Sequence, residues 1–144
     1  MERRSGNREP STLRICIDKA SAAVTEGRVL GMRFSQPIEF ADLGDMMLRV
    51  DELLNRQGFP QAYQKARVFL EKPPQPPIPE DEEGMSEQAV KAARGAVFTC
   101  DLLIRTRQNS TWQGAVDWLD GSEIARFFSA LELLRMIDAR LAGL

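Results

Sequence analysis

A helix motif written twice, 87 positions apart, sets the terms on which this chain can fold. Residues 129–141 (SALELLRMIDARL) put Ala130, Leu133, Leu134, Ile137 and Leu141 on one face of a helix. Ser129 with Glu132 three positions later makes a capping box. In it the Glu132 carboxylate is expected to reach back to the Ser129 N–H, with Phe128 stapled onto Leu133. Gly143 suits the C-terminal cap. Residues 42–54 (DLGDMMLRVDELL) repeat the pattern, with Asp42 as cap, Asp45 near the positive helix end, and Leu43, Met46, Met47, Val50, Leu53 and Leu54 as the stripe. Adding 87 to those six positions gives five apolar residues and one exception, Arg140.

The offset continues upstream without a gap. Gly27 falls on Gly114, Val29 on Val116, Ser35 on Ser122, Phe40 on Phe127 and Asp51 on Asp138. Leu13, Ile15 and Ile17 fall on Cys100, Leu102 and Ile104, so strand phase is kept as well. A shared cap, stripe and phase points to an internal duplication. The fold class that follows is α+β: two βββα repeats forming an antiparallel sheet, with two main helices packed on it.

In order, residues 1–11 read as a disordered tail and 12–71 as the first repeat. Residues 72–95 form a proline-rich and acidic linker, and 96–144 the second repeat. Strands are expected at 12–18, 27–33 and 37–40, with 19–26 as a loop. Gly31, inside a strand, points to a bulge or a close backbone approach. The first helix should stop near Gly58, and residues 59–71 should be coil packing aromatics on the first unit. Prolines between 73 and 79 hold polyproline II backbone before the acidic run at 80–83, so residues 72–84 should be exposed. Ser86 can cap a short helix over 86–94 that Gly95 stops. Strands at 96–105, 114–119 and 123–127 complete the second unit. Its 105–113 loop closes a hairpin, and Asp120-Gly121 suits a type I′ turn. In an alternative arrangement the linker sends the second unit onto another chain.

Composition bounds function. The chain of 144 residues carries a formal charge of −2, which gives no general attraction to nucleic acid or anionic membrane. It contains no histidine, which removes Ser–His and Cys–His nucleophile pairs and most zinc sites. No catalytic residue, metal site or cofactor site is expected. No run of apolar residues is long enough to span a bilayer, and the basic N-terminus lacks the apolar core of a secretory signal, so a cytoplasmic address is expected. Cys16 and Cys100 lie in strands of opposite phase and read as packed free thiols.

The site-like cluster is Arg105, Arg107, Trp112 and Gln113, which collects cations, an amide and an indole near one strand end. Such a set can hold phosphate and stack a base. The alternative is a solvated hairpin in which Trp112 covers the sheet edge. Residues 109–114 (NSTWQG) resemble part of the PilZ cyclic-di-GMP signature, with Thr111 where serine is usual. That family also carries paired arginines, RxxxR, on a segment well upstream. Asp51 and Asp138 flank the two apolar stripes, suited to capping a neighbouring backbone or pairing with an arginine. The function expected is a non-enzymatic interaction or regulatory module that binds a protein partner through a sheet edge or helix face, with homodimerisation as one form. The alternative is a single-stranded nucleic-acid or nucleotide binder using Arg105, Arg107 and Trp112.

Overall fold

The computed structural model describes residues 11–21, 24–58, 62–63 and 84–144. Its elements are β1 (Leu13–Ala20), β2 (Thr25–Gly31), β3 (Ile38–Phe40), α1 (Leu43–Gln57), β4 (Ala62–Tyr63), α2 (Glu87–Ala92), β5 (Phe98–Gln108), β6 (Gln113–Asp117), β7 (Ala125–Phe127) and α3 (Ala130–Ala142). Six strands form one antiparallel sheet in the order β3-β2-β1-β5-β6-β7. β4 is a two-residue parallel addition beside Arg107 and Gln108. Each trio of strands runs into its own long helix, and β1 meets β5 at the middle of the sheet.

Alternation along the strands divides the sheet into two faces. Leu13, Ile15, Ile17, Val29, Phe40, Cys100, Leu102, Ile104, Val116 and Phe127 point inward and form one core with Met46, Val50, Leu53 and Leu54 of α1 and Leu133 and Ile137 of α3. Full burial of each such side chain contributes roughly 1.5–3 kcal/mol, so this layer holds the molecule together. The outer face of β1 carries Arg14 and Cys16, both buried. Short α2 covers it, with Val90 fully buried. Arg14 lies opposite Asp101 in the β1–β5 register, and its Nε donates to Asp101 Oδ1 at 2.7 Å. Its Nη1 donates to the Lys91 and Ala93 carbonyls, each at 2.9 Å.

Several expectations need correction. β1 and β2 extend into residues 19–26, which had read as a loop, because a bulge between Ile17 and Lys19 inverts the alternation there. A second bulge between Ile104 and Thr106 likewise lets β5 run to Gln108. Near each bulge sits a glycine that no larger residue could replace. A Cβ on Gly27 would lie 2.1 Å from the Cys16 carbonyl oxygen, and one on Gly114 would lie 1.9 Å from that of Leu103. β2 stops at Gly31, where an added Cβ would press on the Phe34 ring.

The type I′ signature of two successive positive φ values belongs to Asn109 and Ser110, not to Asp120-Gly121. In the β6–β7 connection Leu119 and Gly121 take the positive φ values, while the Asp120 carboxylate accepts from the Ser122 N–H. Asn109-Ser110 closes the tight hairpin, and the longer β6–β7 connection leaves room for a wider turn. Residues 62–63 are a strand rather than coil; the rest of 59–71 and residues 72–83 lie outside the described residues. The next stretch is docked. Met85 N–H donates to the Phe34 carbonyl and Ala96 N–H to the Asp18 carboxylate.

The helix caps behave as their sequences require, with one change. Asp42 and Ser129 side chains accept from the Asp45 and Glu132 N–H groups. The return bond goes one residue further out than expected. Glu132 accepts from the Phe128 N–H at 2.8 Å, and Asp45 accepts from that of Ala41 at 3.0 Å. Phe128 is 65% exposed and makes no staple. Gly58 ends α1 with φ of 69°, whereas Gly143 at the end of α3 has φ of −88°. Arg140, the break in the apolar stripe, lies 4.5 Å over the Trp118 ring and pairs with Asp120 at 2.6 Å. No helix among the described residues is long and apolar enough to cross a membrane.

Candidate functional site

The bulge in β5 decides where the site-like residues point. It leaves both Arg105 and Thr106 off the core side and turns Arg107 inward. Trp112, beside β6, turns inward too. Trp112 is 3% exposed and Arg107 5%. The indole N–H donates to Asp51 Oδ1 at 3.0 Å, and Arg107 Nη1 donates to Asn55 Oδ1 at 2.7 Å. Arg107 also lies 3.5 Å from the Asp51 carboxylate. Burial lowers the pKa of Arg107 and Asp51 opposes that shift. These two residues therefore fasten the second hairpin to α1 of the first half.

The rest of the NSTWQG segment also has local work. Asn109 and Ser110 make the turn. Thr111 Oγ1 accepts from the Ala130 N–H at 2.7 Å, satisfying a donor at the start of α3. The Gln113 side chain accepts from Thr106 Oγ1 at 2.6 Å and from the Gln108 N–H at 2.9 Å, and donates to the Gln108 carbonyl. Of the four expected site residues, the structure brings Arg105 and Gln113 together on the outer face and sends Arg107 and Trp112 to the other side of the sheet.

On that outer face lies a groove of about 590 Å³, lined by Arg105, Thr106, Gln113, Gly114, Ala115, Ile124, Arg126, Phe127 and Phe128. Small residues on β6 make its floor. Arg105 on β5 and Arg126 on β7 flank it, and neither has a hydrogen-bond or ion-pair partner among the described residues. Ile124 (61% exposed), Phe128 (65%) and Leu131 (56%) run along the β7 side. The far edge of β7 is unpaired among the described residues. The chain thus concentrates exposed apolar surface at one sheet edge, beside two guanidinium groups without a partner among the described residues.

The corresponding face of the first half is partly covered and its charges are paired. Asp18 stands 87 positions before Arg105 and forms a two-pronged pair with Arg28 at 2.9 and 3.0 Å. That pair holds the Asp18 carboxyl below its usual range, with hydrogen bonding to Arg28 as the main cause. Arg28 Nη2 also donates to the Arg94 carbonyl of the segment lying over it. Sequence reasoning missed Arg126, Ile124 and Phe128. The staple expected at Phe128 hides that ring's exposure, and no signal in the sequence joins β7 to Arg105 across β6.

Comparison of the chain with family models, with curated proteins and with solved structures gives no match.

Proposed function

We propose that the protein is a non-enzymatic interaction module that binds a protein partner across the open outer face of β5, β6 and β7 and along the β7 edge. One observation carries this reading. Of two corresponding sheet faces, the first is partly covered by the chain's own residues 85–97 and pairs its Asp18 with Arg28, whereas the second has an apolar rim and no partner for Arg105 or Arg126 among the described residues. An exposed apolar patch beside an unpaired strand edge is the surface through which sheets acquire partners. A second copy of the chain is one such partner. The alternative, a single-stranded nucleic-acid or nucleotide binder built on Arg105, Arg107 and Trp112, has weaker support. Trp112 has no free ring face and Arg107 lies against α1.

The test is affinity capture from the native cell with the full chain and with an Ile124→Ser/Phe128→Ser variant. A protein retained by the parent and lost from an equally stable variant supports the reading. Equal retention by both sinks it.

We also infer that the two halves descend from one βββα unit. The support is the recurrence of unusual features at the same offset. Bulges follow Ile17 and Ile104, Gly27 and Gly114 pair with Phe40 and Phe127, and the caps at Asp42 and Ser129 share the displaced return bond. An experimental structure should overlay residues 12–56 on 99–143, with Leu43 on Ala130 and Val50 on Ile137. A different placement of β3 and β7 relative to their helices would end this inference.

A further inference from the structure

Resting on that reading of the open face, we propose that the groove takes an extended acidic peptide segment in which carboxylates flank an apolar side chain. The partly covered face of the first half is the guide. There the covering segment just before β5 is held through its backbone. Ala96 N–H donates to Asp18, Val97 N–H donates to the Ile17 carbonyl, and Arg28 reaches the Arg94 carbonyl. Side chains on this face thus hold the backbone of a passing segment through its N–H and carbonyl groups.

At two corresponding positions the second face carries the opposite charge. Arg105 occupies the position of Asp18, and Arg126 that of Glu39. Where Asp18 accepts an N–H, Arg105 can only donate, so its partner on the occupant must be an acceptor. A carboxylate answers best, because it pairs with guanidinium in a forked, charge-assisted geometry. Arg126 aligns through Ala115 with Leu103, so the two arginines stand two strand spacings apart across the sheet and two residues apart along it, roughly 12 Å. Carboxylates two to four residues apart on an extended chain span roughly 7–14 Å. Ile124 and Phe128 supply the apolar contact between them. Phosphates would answer the arginines too, but the net charge of −2 leaves no wider positive field to gather a nucleic acid.

The chain's own N-terminal residues are a poor occupant. In sequence, Pro10 and Arg8 precede Val97 and Gly95 by the same 87 positions; proline lacks the N–H that Val97 donates, and arginine carries the Cβ that Gly95, lying against the Ile17 backbone, does without. Arg3, Arg4 and Arg8 also match the groove in charge.

The experiment selects a phage-displayed library of random linear peptides on the full chain. The enriched peptides are then measured by fluorescence anisotropy against Arg105→Glu/Arg126→Glu and Ile124→Ser/Phe128→Ser variants whose melting temperatures match the parent. Enrichment of Asp or Glu flanking an apolar residue is expected. Affinity should fall roughly tenfold or more on charge reversal and weaken as salt rises. Peptides that lose binding on the apolar variant but not on charge reversal would keep the interaction face and overturn its acid specificity. Absence of enrichment, or binding indifferent to both variants, overturns both readings. Labelled dT15 bound by the parent and lost on charge reversal would overturn the peptide assignment in favour of phosphate. Acidic peptides that bind only after residues 1–10 are removed would make the chain's own terminus the occupant and overturn the proposal.

Discussion

Trp112 buries its indole in the core and donates its only N–H to Asp51, a residue 61 positions earlier on α1. Ring packing should outweigh that hydrogen bond, because Asp51 remains half exposed and can be hydrated when the donor is lost. Trp112→Ala should therefore cost about 3–5 kcal/mol. Trp112→Phe should cost less, with about 0.5–1.5 kcal/mol of it from the missing donor. Urea denaturation measures both, and a Trp112→Ala loss under about 1 kcal/mol would contradict the packing described. Asp120 gives a second test at this scale. Hydrogen bonds from Ser122, and then from Arg140, hold its carboxyl down to about 2. The unfolded value is about 3.9. A depressed carboxylate adds stability above its unfolded pKa and loses it as pH falls through the folded one. Asp120→Asn should melt below the parent at neutral pH, and the gap should close between about pH 4 and pH 2. A gap that stays constant with pH would mean the Asp120–Arg140–Trp118 cluster does not form in solution.

Among the elements, the paired bulges carry the sharpest prediction. Gly27→Ala and Gly114→Ala each drive a methyl group into a neighbouring strand's carbonyl, at 2.1 and 1.9 Å. Both should lose stability at or beyond the upper end of the ~1–3 kcal/mol typical of overpacking. If either variant melts with the parent, its strand does not approach the bulged neighbour as described. Ser129→Ala and Asp42→Ala should cost about 1 kcal/mol each. These two scales differ in how legible they were. The caps could be read from sequence because a cap is settled by residues three positions apart. Strand phase could be read wherever alternation held, as at Leu13, Ile15 and Ile17. At Asp18 and Arg105 the bulges reset the phase, and periodicity then assigned strand residues to loops. The same reset hid the true direction of Arg107 and Trp112. The groove was the least legible feature, since it needs Arg105, Ala115 and Arg126 from three strands, and β7 had no local mark of being uncovered.

For the molecule as a whole, the weight falls on the seam between β1 and β5. Without it each half would present a long bare edge, so the halves should unfold together rather than apart. Arg14 is the seam's buried charge: its side chain is 4% exposed and that of Asp101 13%. It also ties the sheet to the segment above it through the Lys91 and Ala93 carbonyls. Arg14→Met keeps much of the length and removes every donor. Asp101 then stays in a mostly enclosed place without its guanidinium, a change that typically costs about 3–5 kcal/mol. Adding Asp101→Leu takes away the stranded charge, so the double variant should be more stable than the sum of the single losses implies. Parent unfolding should be one transition, coincident by near- and far-ultraviolet circular dichroism. Two transitions in the parent would mean the halves are independent domains and that β1 meets β5 only weakly. Additive losses for Arg14→Met and Asp101→Leu would mean the pair is not closed in solution. A single parent transition with strong coupling between the two positions is the expected result, because the register sets Arg14 opposite Asp101 with hydrogen-bonded strands on either side.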